Sequence, residues 1–511
     1  MKKILSLITL IFLLTGIISC QKEPNDPIIP IDPIDLAAIY PQNDVYYEIF
    51  VRSFADSNAD GIGDLNGITQ NLDYIEELGV TAIWLMPINP SPSYHGYSVT
   101  DYYDIEPDYG SLDDFQNLID EAALRNIDII IDLVINHTSD QHPWYLSAAS
   151  STSSEYRDYY VWNNGSAYES FVGGMKDLNF NNEAVIEEVK NIMDFYLDMG
   201  IHGFRIDAAK HLIESNNATL DNALLIFDLN EHIKQTDPNS FLVSEVFDLN
   251  YLLYTDYYIG SDSVFDFSAA ANIWDKIGYG NNRYLLVSSL KKAYDAYRDI
   301  RPDFVDSPFI ANHDLDRIAS MGGFNTYDTF EKIALAARIS LTLPGSPFIY
   351  YGDELGMKGT RYEGYNMPGY GVVYDEYRRQ PFLWGEETYQ TSWLPSDGSN
   401  DLIDAISVQK LDQNSLFNQY KQIIEIRKNN PALMYGNYFE PYVNNTSNIQ
   451  GYVRYFMYED IEQAVLVLNN LSPDAHTFDI EYLELLYGNL TIPAYGSLIV
   501  TIDPQRIEEY I

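Results

Sequence analysis

The sequence contains a single cysteine, Cys20, among its 511 residues, so no internal disulfide can form. Basic side chains are also scarce. Thirty lysine and arginine residues stand against 75 aspartate and glutamate residues, which gives a formal net charge of −45. A surface of this charge repels phosphate backbones and anionic lipids, so we predict no nucleic-acid partner. With 46% hydrophobic and 21% charged residues, the composition is that of a globular protein.

The sequence also lacks long hydrophobic runs, except at its N-terminus. Residues 4–18 form an apolar stretch that is too short to span a bilayer comfortably, and two lysines precede it. Ile17-Ile18-Ser19-Cys20 resembles a bacterial lipobox. We therefore predict a lipoprotein signal peptide over residues 1–19, cleavage before Cys20 and lipidation of its sulfur. An ordinary secretory signal with a chance cysteine is the alternative.

The segment after the cysteine fits an exported, membrane-anchored lipoprotein. Residues 20–40 contain four prolines among acidic residues, which is typical of an extended spacer. By analogy with surface lipoproteins, Glu23 and Asp26 favour the outer membrane and its outer face. No later segment is apolar enough to span a bilayer, so we expect a folded, monomeric body tethered by the lipid.

From residue 41 onward, short strand-like runs alternate with segments that carry apolar residues at helical spacing. This alternation predicts parallel βαβ units, and eight runs favour a closed (β/α)₈ TIM barrel over an open sheet. The predicted strands are residues 45–50, 81–86, 128–135, 203–207, 241–245, 263–267, 309–312 and 347–351.

Two further regions accompany the predicted barrel. Residues 138–181 follow the third strand without a clear helical pattern, and we interpret them as an inserted subdomain. Residues 41–137 and 182–430 then make up the barrel. After Pro431 the pattern changes to short strands and turns, which predicts a C-terminal antiparallel β-sandwich domain over residues 431–511, with strands at 450–457, 464–469 and 497–502.

Three acidic residues stand at the ends of predicted barrel strands. Asp207, Glu245 and Asp314 follow strands four, five and seven, where the active sites of such barrels lie. A single carboxylate at such a position is more often an ion-pair partner or a helix cap. That explanation weakens when three acids occupy equivalent ends of three strands. We therefore interpret them as one catalytic cluster.

Paired carboxylates are what glycoside cleavage needs. One acid donates a proton to the leaving oxygen, and a second carboxylate attacks or orients water. Metal-dependent hydrolysis is a rival, but the sequence has no HExxH pair of histidines. It also has no phosphate-binding glycine loop and no GxSxG serine elbow.

The segments at residues 132–137, 203–211 and 312–314, together with Glu245, resemble the four conserved regions of the α-amylase family, glycoside hydrolase family 13. The resemblance covers nearly the whole mature chain, from Asp44 to the terminal β domain. Its motifs are highly specific, because they recur in order at the expected barrel strands. It implies a retaining mechanism with Asp207 as nucleophile and Glu245 as general acid/base. Asp314 would be the third acid, which holds sugar hydroxyls. No organic cofactor is implied.

The same resemblance implies the surrounding substrate-binding residues. Arg205 would keep Asp207 ionised, and Tyr97 would stack on the sugar. His137 and His313 would hydrogen-bond the sugar, and Lys210 and His211 would line the leaving-group side. The full predicted substrate-binding set is His95, Tyr97, His137, Arg205, Lys210, His211, His313 and Arg379.

Details of the motifs bear on bond specificity. Residues 175–179 look like the signature of the subgroup between oligo-1,6-glucosidases and neopullulanases, which includes secreted α-amylases. Tyr94 stands where exo-acting relatives carry a chain-end aspartate, although Arg379 matches an arginine of theirs. Ala208 stands where α-1,6-specific relatives typically have valine. Together these favour internal α-1,4 cleavage of starch-like glucans and maltooligosaccharides. An α-glucosidase or neopullulanase type, a transglycosylating relative and a non-catalytic glucan-binding homologue stay open as alternatives.

Oxygen-bearing residues at alternate positions predict a calcium loop. The predicted ligands are Asp56, Asn58, Asp60, the carbonyl of Ile62, and Asp64. The twelfth position is glycine rather than a bidentate glutamate, so the loop is not an EF-hand. It resembles the calcium loop after the first strand in this family. A second family calcium site could use Asn136, Asn179 and the His211 carbonyl.

Overall fold

The computed structural model describes residues 36–40, 43–281, 283–362 and 364–511. Residues 40–511 form one compact unit, and the short helix Leu36–Ile39 belongs to a separate N-terminal unit. The predicted signal peptide, Cys20 and the spacer up to residue 35 lie outside the described residues. Within the described ranges, no helix is long and apolar enough to cross a membrane.

Eight short parallel strands form the barrel: the first seven pair with one another in chain order, and the eighth pairs with the first. The backbone N–H groups of Ser346 and Phe348 donate to the carbonyls of Asp306 and Pro308 at 2.7 and 2.9 Å, which closes the ring. The predicted (β/α)₈ barrel is confirmed. Its strands are β1 (Tyr46–Ile49), β2 (Ala82–Leu85), β3 (Asp128–Leu133), β4 (Gly203–Ile206), β5 (Phe241–Ser244), β6 (Ser263–Phe265), β7 (Val305–Ser307) and β8 (Phe348–Tyr350).

The predicted position of the seventh strand is wrong. The prediction placed it at residues 309–312, whereas β7 spans Val305–Ser307. Pro308 has no N–H to continue the strand ladder, so the strand stops before it. The apolar residues that suggested a strand lie above it, where Phe309 packs into the barrel core and Ile310 accepts a hydrogen bond from the Trp274 indole at 2.8 Å.

Helices surround the strands, and the clearest owes its position to capping and periodicity. Helix Leu112–Ala123 begins at a capping box formed by Ser111 and Asp114, and it buries four apolar residues at helical spacing. The other α-helices of residues 40–511 are Val51–Phe54, Leu65–Gln70, Leu72–Leu78, Pro143–Ser150, Glu183–Asp198, Ala218–Thr236, Phe267–Ile273, Leu286–Ile300, Thr329–Ser340, Ile406–Gln409, Leu416–Lys428 and Pro431–Met434.

The barrel interior changes from apolar to charged along the strands. Alternate side chains of each strand point inward. The lower layers hold apolar side chains, among them Tyr46, Trp84, Ile130, Val243 and Phe348. The same alternation brings Glu48, Asp132 and Arg205 inward at the carboxyl-terminal end, where all three are buried. The core therefore ends beneath a layer of charge.

The segment after β3 contains a helix that its sequence did not indicate. Strand His137–Ser139 pairs with Met175–Asp177, and helix Pro143–Ser150 lies between them. Of its eight residues this helix buries only Ala148, so it has little apolar periodicity to recognise. The hairpin that follows, Trp162–Asn163 with Ser166–Ala167, turns at an Asn-Gly pair in the left-handed region.

The C-terminal part is an antiparallel sheet, as predicted. Its strands are β9 (Tyr438–Pro441), β10 (Ile449–Tyr458), β11 (Ile461–Asn470), β12 (Glu484–Tyr487) and β13 (Ser497–Ile502), in the spatial order β9-β10-β11-β13-β12. A two-stranded ribbon, His476–Thr477 with Thr491–Ile492, contributes Ile492 to the same apolar core. The domain boundaries proposed from the sequence stay predictions, because residues 40–511 form a single compact unit.

Buried arginines connect the barrel to this sheet. Arg427, in helix Leu416–Lys428, donates to the carbonyls of Leu341 and Leu343 at 2.9 and 2.8 Å. Arg454, on β10, donates to the carbonyl of Thr342 at 2.5 Å. These carbonyls follow helix Thr329–Ser340, whose own backbone cannot satisfy them. The end of this helix, which lies between β7 and β8, is therefore capped by Arg427 from the helix after β8 and by Arg454 from the C-terminal sheet.

Candidate active site

A pocket of about 520 Å³ opens at the carboxyl-terminal ends of the barrel strands. It contains all three predicted catalytic acids, although they are far apart in the sequence. Its lining residues are His95, Tyr97, His137, Phe171, Met175, Asp207, Ala208, Lys210, His211, Glu245, Phe247, Asp314, Asp375 and Arg379.

Arg205 lies directly beneath the pocket, with 1% of its surface exposed. Its Nη1 is 2.5 Å from Asp207 Oδ1 and 2.7 Å from Asp132 Oδ1. Its Nη2 is 3.8 Å from Glu245 Oε2. One guanidinium group therefore contacts the carboxylates of both Asp207 and Glu245, which places the two acids side by side on the pocket floor.

Glu245 is held by the backbone that follows β4. The amide of Ala208 donates to Glu245 Oε2 at 3.0 Å, and Ala208 adopts a left-handed conformation with φ of +46°. Burial raises the pKa of the Glu245 carboxyl, and the charges of Asp207 and Asp314 add to this rise while Arg205 opposes it. A carboxyl with a raised pKa keeps its proton nearer to neutral pH, as a general acid requires.

Asp314 stands between two cations. Its Oδ1 is 3.0 Å from Arg379 Nη2, and its Oδ2 is 3.0 Å from His313 Nε2. Partial desolvation would raise the pKa of Asp314, but His313 and Arg379 outweigh it and hold this pKa well below its usual range. Asp314 is therefore held in its ionised form at the pocket wall.

His313 carries the complementary charge. Its Nδ1 lies 2.6 Å from Glu48 Oε1, and the ring is fully buried. Burial opposes protonation, but Asp314 and Glu48 outweigh it and raise the pKa of His313 to about 9. The chain of Glu48, His313 and Asp314 thus alternates negative, positive and negative charge from β1 to the pocket.

Tyr97 connects this chain to Arg205. Its hydroxyl donates to Asp132 Oδ2 at 2.8 Å and lies 2.7 Å from His313 Nε2. The rings of Tyr97 and His313 stack with centroids 5.5 Å apart. His137 Nε2 lies 2.9 Å from the Tyr97 carbonyl, and burial lowers the pKa of His137, so its neutral ring donates there. The Tyr97 ring is held rigidly at the pocket.

The predicted substrate-binding residues divide into two groups. Most line the pocket directly, but Arg205 and His313 lie behind its wall and contact Asp207 and Asp314. Tyr94 also lies behind the wall: its hydroxyl accepts from Arg379 Nη1 at 3.3 Å.

The sequence reasoning missed two kinds of residue. Glu48 and Asp132 were missed although each is an acid at an inward position of an otherwise apolar strand, which is a usable signal. The apolar rim was also missed: Phe171 and Met175 come from the segment after β3, and Phe247 comes two residues after Glu245. Phe247 is 46% exposed, which is unusual for a phenylalanine beside a polar pocket.

Hydrogen bonds from backbone amides to aspartate side chains hold the predicted calcium loop together. Asp56 Oδ1 accepts from the amide of Ala59 at 2.7 Å, and its Oδ2 accepts from Gly61 at 2.7 Å. Asp64 accepts from the amide of Ser57 at 2.9 Å and caps helix Leu65–Gln70. The loop therefore presents several ligand oxygens around one turn. Asp56 Oδ2, Asp60 Oδ1 and Asp64 Oδ2 each accept one of these hydrogen bonds and keep a further lone pair.

The two asparagines of the second predicted calcium site differ in whether their side-chain oxygens already accept a hydrogen bond. Asn136 Oδ1 is buried and has no hydrogen-bond partner among the described residues. Asn179, by contrast, uses its Nδ2 to donate to the Asp158 carbonyl at 3.1 Å and its Oδ1 to accept from the Asn181 amide at 3.2 Å. Of the two side chains, Asn136 has the freer ligand oxygen.

Residues 48–436 match a family model described as "Alpha amylase, catalytic domain". The chain belongs to the alpha-amylase family. Alpha-amylase 3 of Dictyoglomus thermophilum is 38% identical over 498 residues, with 90% of this chain and 93% of that protein covered. A 4-alpha-glucanotransferase of Thermotoga maritima is 34% identical, with 75% and 87% covered.

A solved structure of another family member shares the architecture. The alpha-amylase from H. orenii superimposes with a TM-score of 0.78 at 35% sequence identity, covering 90% of this chain and all of that one. As a member of this family, the protein is a glycoside hydrolase.

Proposed function

We propose that the protein cleaves internal α-1,4-glucosidic bonds of starch-like glucans and maltooligosaccharides with retention of configuration. The observation that carries this proposal is the pairing of Asp207 and Glu245 on one guanidinium at the floor of an open pocket. The similarity to an alpha-amylase along most of both chains supports it.

The two acids divide the chemistry between them. Asp207 forms an ion pair with Arg205 and is the nucleophile that attacks the anomeric carbon. Glu245, with its raised pKa, donates its proton to the leaving glycosidic oxygen as that bond breaks. Water then attacks the glycosyl-enzyme, Glu245 takes its proton, and Asp207 is released as a carboxylate.

The remaining pocket residues position the sugar. Asp314 is an anion that accepts hydrogen bonds from sugar hydroxyls, and these bonds strengthen as the ring flattens. Tyr97 offers an aromatic face for stacking. Arg379 is held by Asp314 and Tyr94, and no acid stands at position 94 to capture a chain end. This arrangement favours binding within a chain.

Product analysis on amylose, pullulan and maltotriose tests the function. Early release of mixed oligosaccharides from amylose supports internal cleavage, whereas glucose alone from the outset indicates an α-glucosidase. Longer products from maltotriose indicate a transglycosylase. We expect Asp207→Asn and Glu245→Gln to lose at least about 10³-fold in kcat. Asp198→Asn, at an exposed acid outside the pocket, is the matched control. Full glucan binding by an inactive wild type would instead identify a binding protein.

We also propose that the loop from Asp56 to Asp64 holds one Ca²⁺ through the side chains of Asp56, Asn58, Asp60 and Asp64 and the Ile62 carbonyl. Hard oxygen donors wound around one turn suit this ion, which would stabilise the loop rather than take part in the reaction. The unpartnered Asn136 Oδ1 supports a second, weaker site.

The cellular location of the protein is a separate proposal. We propose that it is a monomer anchored by lipid on Cys20 to the outer membrane, on its outer face. Radiolabelled palmitate incorporation tests the anchor. We expect label in the wild type and none in Cys20→Ser, and equal labelling of both would contradict the proposal.

A further inference from the structure

A second polar cluster lies at the amino-terminal end of the barrel, opposite the pocket. Asp44 precedes β1, Asp128 opens β3 and His202 precedes β4, so the barrel closure brings the three residues together. One ligand atom from each of them lies within 4.8 Å of the other two. Nothing in the proposed reaction uses this cluster.

The backbone around the cluster is fixed by hydrogen bonds. Thr81, just before β2, donates its amide to the Val45 carbonyl and accepts at its carbonyl from the amide of Asp128, at 3.0 and 2.9 Å. The amide of His202 donates to the carbonyl of Ile129 at 2.7 Å. The three side chains therefore start from rigid positions.

The cluster contains unused ligand atoms. Asp44 Oδ2 and His202 Nε2 are buried, and neither has a hydrogen-bond partner in the part of the chain that the structure describes. His202 is only 8% exposed, and its Nδ1 lies 3.7 Å from Asp128 Oδ2, which is beyond hydrogen-bond distance. The hydroxyl of Tyr46 beside them is likewise buried and unpaired among the described residues. Buried polar atoms normally have partners.

The two carboxylates of the cluster lie close together, and among the described residues neither forms an ion pair with a lysine or an arginine. Two nearby lysines have other partners: Lys234 pairs with Asp262 at 2.9 Å, and Lys428 donates to the carbonyl of Gly79 at 3.1 Å. A cation between the three side chains would offset the negative charge of the two carboxylates.

We propose that Asp44, Asp128 and His202 form a structural site for a divalent transition metal, with Zn²⁺ as the best-fitting ion. One imidazole and two carboxylates are a zinc-type ligand set, whereas Ca²⁺ prefers oxygen ligands alone. Ligand atoms around a tetrahedral zinc stand about 3.3 Å apart, so the site contracts on binding. The Asp128 side chain is 50% exposed and free to rotate inward.

Such a metal would join three barrel strands, β1, β3 and β4, at the end of the barrel that governs stability rather than catalysis. We therefore expect it to affect unfolding and leave the turnover of saturating substrate unchanged. This inference does not depend on the proposed function, since the site lies at the opposite end of the barrel from the pocket.

The test measures thermal unfolding of metal-stripped full-length protein in saturating Ca²⁺, with and without Zn²⁺. At 100 times the dissociation constant we expect Zn²⁺ to raise Tm by about 3 °C, and calorimetry to show one tight equivalent. The shift should vanish in His202→Asn. His232→Asn should keep it, because His232 pairs with Asp194 in a two-residue surface contact.

A second readout separates metal binding from folding. Co²⁺ in the wild type should give the visible d–d absorption of a tetrahedral N/O site, and Zn²⁺ should displace it. Asp128→Asn, at a half-exposed position, replaces His202→Asn if the latter does not fold. A wild type that binds no equivalent of Zn²⁺, or the same shift in these variants as in the wild type, would overturn the proposal and indicate a proton or water shared by the three side chains.

Discussion

The charge of His313 makes a prediction about alkaline pH. Glu48 and Asp314 raise the pKa of this buried ring to about 9, from an ordinary value of 6.5. When the ring loses one proton, the 2.6 Å contact with Glu48 retains the other at Nδ1. Nε2 then faces Asp314 Oδ2, 3.0 Å away, as one acceptor facing another. Asp314 loses a donor, so we expect activity to fall as the pH rises through about 9.

The Glu48→Gln variant tests this reasoning, because Glu48 lies beneath the pocket and does not line it. An opposite charge in contact typically shifts a pKa by about 1–3 units, so its removal should move the alkaline limb of kcat/KM from about pH 9 to about pH 6–8. The assay is the pH profile of kcat/KM on a chromogenic maltooligosaccharide. Glu76→Gln, at an exposed glutamate of helix Leu72–Leu78, is the matched control and should keep the wild-type limb.

The interaction of protonated His313 with Asp314 and Glu48 also contributes to folding stability, and the raised pKa fixes how that contribution changes with pH. A shift from 6.5 to about 9 corresponds to about 3 kcal/mol, since one pKa unit is about 1.4 kcal/mol. The folded state binds the proton more tightly than the unfolded chain does, so this contribution is complete below pH 6.5 and is lost as the pH rises through about 9. A folded Glu48→Gln variant with an unchanged alkaline limb would refute the assignment of that limb to His313.

Three further perturbations test the backbone, the calcium loop and the interface between the barrel and the C-terminal sheet. Ala208→Gly should raise the free energy of unfolding by up to about 1 kcal/mol in urea titrations, because glycine adopts positive φ without strain; a clear loss would contradict this. EGTA should lower Tm by several degrees in the wild type and by much less in Asp60→Asn, and equal sensitivity would exclude the loop as the calcium site. Arg454→Met should cost about 3 kcal/mol or more in urea titrations, because it leaves buried carbonyls unpaired; a neutral result would show that they find other donors.

Much of the fold could be predicted from local patterns in the sequence. Seven of the eight strands are apolar runs bounded by turns, and alternation with amphipathic helices defines the barrel. The seventh strand was misplaced because its three residues mix Val305 with two polar side chains, while the apolar run after Pro308 is a loop. Helix Pro143–Ser150 was missed because its residues face outward, where periodicity carries no signal.

The candidate site likewise contains residues that the sequence could predict and residues that it could not. Asp207, Glu245 and Asp314 could be predicted because strand ends in a barrel converge on one face. The partners behind them could not, because the hydrogen bonds that join Glu48 to His313, or Asp132 to Tyr97, connect residues that are distant along the chain. Only the closed barrel brings them within contact distance.

Arg454, which reaches from the C-terminal sheet to the end of helix Thr329–Ser340, has a practical consequence. A shortened protein that stops near residue 430 keeps Arg427 but loses Arg454, so the Thr342 carbonyl loses its donor and barrel surface that the sheet now buries becomes exposed to water. The barrel is thus not a free-standing scaffold. A minimal catalytic fragment is therefore expected to be less stable than the full chain, because it loses the contacts of Arg454 and of the carbonyl of Tyr495 with the barrel.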